Sequence, residues 1–160
     1  MLSIQISDIK DFMSHLLSKD TFDHFYFIEA SIKMGVSYQI QGRINEGFYD
    51  TSVEQTLNRE FCYWKEIRHR IFDIIKGKRL PLSCKIVLGL SKKSISYLIA
   101  HNNSSFREED IEGIYVNILY DPKNLLITTG ISYKNFSLDK SLEYAFDEYL
   151  AKFLKEKAVI

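Results

Sequence analysis

At 160 residues, 46% hydrophobic and 26% charged, the chain has the composition of an ordinary globular protein, long enough to bury a substantial apolar interior; a disordered or low-complexity polypeptide is excluded. No stretch approaches the roughly 20 apolar residues of a membrane-spanning helix. The opening MLSIQISDIKDF carries acidic residues where a secretory leader needs an apolar run, so the expectation is a soluble, cytoplasmic protein with no membrane partner. Formal net charge is zero but unevenly laid: residues 62–93 hold nine basic side chains and two acidic ones, against five and nine before them and seven and ten after.

In chain order, Leu2, Ile4 and Ile6 alternate with polar residues at the period of a half-buried strand. Ser7 then reads as an N-cap, and Ile9, Phe12, Met13, Leu16 and Leu17 follow at the spacing of an amphipathic helix. Between Phe25 and Ile44 the period returns to two. Tyr26, Ile28, Ala30, Ile32 and Met34 share one parity, Gly35 allows a tight turn, and Val36, Tyr38, Ile40, Gly42 and Ile44 line one face of a return strand. Glu29 falls on the parity opposite the apolar set, facing solvent. Asn45–Glu60 is polar and reads as a loop.

The segment FCYWKEIRHRIFDIIKGKR, Phe61–Arg79, predicts a helix from Phe61 to Lys76. A 100° step gathers Phe61, Tyr63, Trp64, Ile67, Ile71 and Phe72 with Ile74 and Ile75 on one arc. Arg68 falls near the middle of that arc, where an unpaired charge is costly, so it needs a partner. Gly77 is placed to end the helix, with Pro81 beyond.

The order then repeats. Cys84, Ile86, Leu88 and Leu90 alternate as a strand; Ser91 caps a helix bearing Ile95, Leu98 and Ile99; Asn102–Glu112 is a polar loop. Strands Ile114–Tyr120 and Leu125–Phe136 flank Asp121-Pro122-Lys123-Asn124, where proline at the second position suits a turn. A last helix carries Leu142, Phe146, Leu150 and Leu154, with Ser137 or Asp139 capping it and Lys152, Lys155 and Lys157 at its dipole-favoured end. The expected fold is therefore α+β: one domain over 1–160, built of strand–helix–hairpin–helix pseudo-repeats 1–81 and 82–160. These form a mainly antiparallel sheet with helices on one face.

No catalytic motif emerges, and neither a cofactor nor a metal is expected. Ser7–Lys10 and Ser137–Lys140 match S-x-x-K but lie at helix starts, where serine caps. His15, His24, His69 and His101 lack any paired spacing for zinc. Cys62 and Cys84 read as reduced thiols, and Gly130 in Thr128-Thr129-Gly130 as a site of close backbone packing or a bulge.

The surviving feature is the basic segment: Lys65, Arg68, Arg70, Lys76, Lys78, Arg79, Lys92 and Lys93 are candidate anion-binding residues. They predict a non-catalytic binding or scaffold module for nucleic acid or an acidic protein surface. An alternative from another class is a small-molecule-binding protein or enzyme with a pocket between the halves, built on Arg68 with Glu29 or Lys65. A third is a homo-oligomer held by its sheet edges.

The blocks Asp8-Ile9-Lys10-Asp11-Phe12-Met13, Glu29-Ala30, Trp64-Lys65-Glu66-Ile67-Arg68, Ile75-Lys76-Gly77-Lys78-Arg79-Leu80-Pro81, Thr128-Thr129-Gly130 and Leu138-Asp139-Lys140 resemble those of a bacterial family of unknown function. That resemblance implies no activity and carries over no catalytic residue. The duplicated unit is also similar in order to one domain of a DNA sliding clamp and to the saddle of a TATA-binding-type fold, which implies topology alone.

Overall fold

A computed structural model describes residues 1–49 and 59–160; the middle of the predicted Asn45–Glu60 loop lies outside the described residues. Six strands, β1 (Ser3–Gln5), β2 (Tyr26–Lys33), β3 (Ser37–Gln41), β4 (Ser83–Gly89), β5 (Ile111–Tyr120) and β6 (Leu125–Tyr133), form one antiparallel sheet in the order β1-β6-β5-β4-β2-β3. Among these residues the α-helices are α1 (Ile9–Leu17), α2 (Trp64–Ile75), α3 (Lys92–His101) and α4 (Ser141–Glu156). The fold is α+β.

One face of the sheet, with Ala30, Ile32, Ile86, Leu88, Val116 and Ile127, is buried beneath helical side chains that include Phe12, Leu16, Trp64, Leu98, Phe146 and Leu150. Phenylalanines join α1 and the segment after it to α4. Phe22 packs on Phe12 and on Phe153 of α4 with ring centroids 5.8 Å apart in each case, and Phe25 meets Phe153 edge-on at 5.5 Å. Among the described residues no α-helix packs on the other, open face, which is mostly polar, with Gln41, Glu29, Val87, Asn117, Thr128 and Ser3 aligned across all six strands.

Strand pairing does not repeat between the two halves of the chain. β4 pairs with β5 of its own half, whereas β1 lies at the far edge beside β6. A strand of three residues has few ladder bonds to offer and ends up at an edge, where it is held by side chains. Buried Thr129 accepts the Leu2 N–H at 2.8 Å and donates to Asp147 of α4 at 2.7 Å. The chain terminus adds an ion pair to the same Asp147 at 3.6 Å.

Four local expectations are corrected. The parity of the first hairpin breaks at a bulge between Phe27 and Glu29, which turns Phe27 into the core against Trp64 and leaves Tyr26 and Ile28 beside Gly89 and Tyr115 on the open face. Helix α2 starts at Trp64 rather than Phe61, because residues 61–63 are extended: Tyr63 bridges Tyr26, and Phe61 bridges Arg43. Asp8, not Ser7, caps α1, its Oδ1 accepting the Asp11 N–H at 3.0 Å. Gly130 sits in regular register opposite Tyr115, and a Cβ there would meet nothing within 4 Å, so it marks neither a bulge nor close packing.

Other expectations match the observed geometry. Asp121 Oδ1 accepts the N–H groups of Lys123 and Asn124 at 2.8 and 2.9 Å, which fixes the β5–β6 turn around Pro122. Ser91 caps α3 by accepting the Ser94 N–H. Gly77, with φ of 146°, redirects the chain just past α2.

Candidate functional site

Arg68, read from the sequence as a buried charge in need of a partner, finds it in Asp23. Nε donates to Oδ1 at 2.8 Å and Nη2 to Oδ2 at 3.1 Å, while Nη1 reaches the Leu17 carbonyl at 3.3 Å. The fork-shaped pair is nearly withdrawn from water, with side chains 10% and 13% exposed. Glu29 is exposed on the open sheet face, so Glu29 and Arg68 do not meet.

The remaining basic residues split into groups. Lys65 lies at the start of α2, 5.8 Å from the Tyr63 ring; Lys92 and Lys93 open α3, just beyond the end of β4. Lys76, Lys78 and Arg79 lie past the end of α2, ahead of the start of β4. The seven residues of β4 separate these ends by roughly 20 Å. Arg70 is exposed on α2 between them.

At the Lys76 end the structure builds a groove. α1 and α2 run antiparallel, pinned where α2 begins by Trp64 Nε1 donating to the Leu16 carbonyl at 2.8 Å and by the Arg68 bond to Leu17. Further along, Ile9 and Met13 of α1 face Phe72 and Ile75 of α2 across an opening of about 590 Å³, closed at its end by Leu80, Pro81, Tyr120 and Pro122. The walls are mostly apolar, with Ser14 and Ser18 among them, and contain no carboxylate; Lys10 and Lys76 stand at the edge, with Lys78 and Arg79 exposed in the adjoining loop. Lys76 makes an ion pair with Asp73 at 2.9 Å, but both side chains are exposed, so the pair holds the lysine only weakly. Phe72 is 37% and Leu80 66% exposed, an apolar surface open to a partner.

Elsewhere the chemistry is quiet. Burial pushes the Cys62 thiol up to about 11 and Cys84 to about 12, so both stay protonated near neutral pH and are poor nucleophiles. Glu66 is held below the ordinary carboxylate range, first by its hydrogen bond with Arg59 and then, against burial, by the Tyr63 N–H at 2.6 Å, which ties down the first turn of α2. His15 Nδ1 shares a hydrogen bond with Thr21 Oγ1 at 2.9 Å. Among the described residues no cluster of three or more histidine, cysteine or carboxylate groups could hold a metal. Nor is any helix there long and apolar enough to cross a membrane.

Charge clustering in the sequence pointed toward Lys76–Arg79 but missed the groove beside it. Its sequence trace, beyond the apolar helix faces, is Leu80 beside Pro81 in an otherwise basic loop.

Fold and site together define an α+β protein whose helical layer opens into an apolar groove edged with lysines. A family model matches residues 15–160, and the chain belongs to that family, DUF5721, a family of unknown function. No curated protein and no solved structure matches it.

Proposed function

We propose that this protein is a non-catalytic binding module whose α1–α2 groove takes an acidic, amphipathic segment of a protein partner. The carrying observation is the groove itself, with mostly apolar walls, no carboxylate in its lining and Lys10 and Lys76 at its edge. A groove between two antiparallel helices suits a third helix, whose apolar face would enter while its acidic flank met the lysines. A nucleic acid is the poorer fit among anionic partners, because phosphates need a continuous basic track and the basic residues here divide between two ends of β4.

The test is fluorescence anisotropy with a labelled synthetic helix bearing leucine on one face and glutamate on its flanks. Saturable binding is expected that weakens as salt rises. Lys10→Glu with Lys76→Glu should weaken it by about tenfold or more, equivalent to about 1.4 kcal/mol. Equal binding by the wild type and the charge-reversed variant would reject the groove as the site.

A further inference from the structure

The far end of the molecule carries a surface that complements the groove. After β6 the chain runs through Lys134–Lys140 without regular secondary structure, and there Phe136 is 89% and Leu138 81% exposed. These are two of the most exposed large apolar side chains in the chain. The segment is nevertheless held at several points: the Lys134 N–H donates to the Asp110 carbonyl at 2.9 Å, Ser105 Oγ donates to Asp139 at 3.1 Å, and Asp139 in turn accepts the Ser141 N–H at the start of α4 at 2.9 Å. An apolar knob already fixed in place loses little conformational freedom on docking.

Its surroundings are acidic. Glu108, Glu109 and Asp110 lie in the loop that holds the segment, and Asp139 and Glu143 flank the knob; of the nearby bases, Lys140 and Arg107 are paired with Glu143 and Glu109, and Lys134 is exposed at the start of the segment, so acidic groups outnumber basic ones. An acid-flanked knob thus stands at one end of β6, and a lysine-edged groove of about 590 Å³ lies by the turn at the other. The nine residues of β6 separate them by roughly 27 Å. A knob and a socket at opposite ends cannot satisfy each other within one chain.

We infer that the groove's partner is a second copy of this chain: Phe136 and Leu138 of one molecule enter the α1–α2 groove of the next, with the exposed Asp139 beside them meeting the lysine edge at Lys10 and Lys76. This rests on the reading of the groove as a docking site. With one knob-to-groove contact per pair of molecules the interface is heterologous, so it propagates head to tail into rings or open chains.

Sedimentation velocity on the full chain tests this with two variants that alter exposed side chains only, Phe136→Ser/Leu138→Ser and Lys76→Glu/Leu80→Glu. The wild type should assemble past the dimer as concentration rises, and each variant alone should stay monomeric. An equimolar mixture of the two should stop at the dimer, because only one functional knob and one functional groove remain to meet. A wild type that stays monomeric at high-micromolar concentration, variants that assemble as the wild type does, or a mixture that forms no dimer would each overturn the inference. Anisotropy of the labelled acidic helix with the Phe136→Ser/Leu138→Ser variant, whose groove is intact, separates the two claims. Binding there beside a monomeric wild type rejects self-assembly while supporting the docking groove; absence of both rejects the two together.

Discussion

Arg68 shows how a single side chain can be located by need before its partner is known. An apolar helical arc with a guanidinium near its centre demands a carboxylate, and Asp23 supplies one from a loop 45 residues away. Removing either side leaves the other buried without its counter-charge. Arg68→Ala is therefore expected to cost about 3–5 kcal/mol in urea unfolding, and replacing Arg68 and Asp23 together by apolar residues should cost less than the sum of the single changes. A single variant unfolding at the wild-type midpoint would show that the pair contributes nothing. Glu66 has a pH signature. Its folded carboxyl lies below the ordinary 4.5, so the unfolded chain binds that proton more readily; the stabilisation is present above 4.5 and is lost as pH falls through the folded value. Glu66→Gln should lower the neutral-pH melting temperature and flatten its decline on acidification, and an unchanged acid limb would contradict the assignment.

At the scale of elements, periodicity located the six strands and four α-helices of the described residues in order, because each has a face that must leave water. What it missed were places where a neighbour overrides the local pattern. The bulge at Ile28 is legible only once β2 is laid against β4, and the late start of α2 only once Tyr63 is seen bridged to Tyr26. Close approach of backbone to backbone is equally invisible in one dimension. A Cβ on Gly42 would lie 1.8 Å from the Phe27 carbonyl oxygen, whereas one on Gly130 would meet nothing within 4 Å. Gly42→Ala is accordingly expected to destabilise by about 2 kcal/mol or more, and Gly130→Ala by no more than about 0.5 kcal/mol, in thermal melts of the two variants. The cap of α1 divides similarly: Asp8→Ala should cost about 1 kcal/mol and Ser7→Ala almost nothing, and the reverse order would move the helix start.

For the whole molecule, charge and topology together decide which residues can act as one surface. The chain holds its basic residues close in sequence, yet α2 and β4 carry them to separate ends, and among the described residues the opening at the Lys76 end is lined without a carboxylate, whereas those beside Lys92 include Glu112. That juxtaposition of greasy walls and lysine edge depends on α1, α2 and the β5–β6 turn arriving at one place, so it could not be read from the basic segment alone. The most direct measurement is a methyl NMR titration of the full chain with the acidic amphipathic helix. Met13, Leu17, Ile75 and Leu80 should shift saturably while Val87 and Leu126 on the open sheet face stay still; shifts confined to the sheet face, or none at all, would contradict the groove as the binding surface.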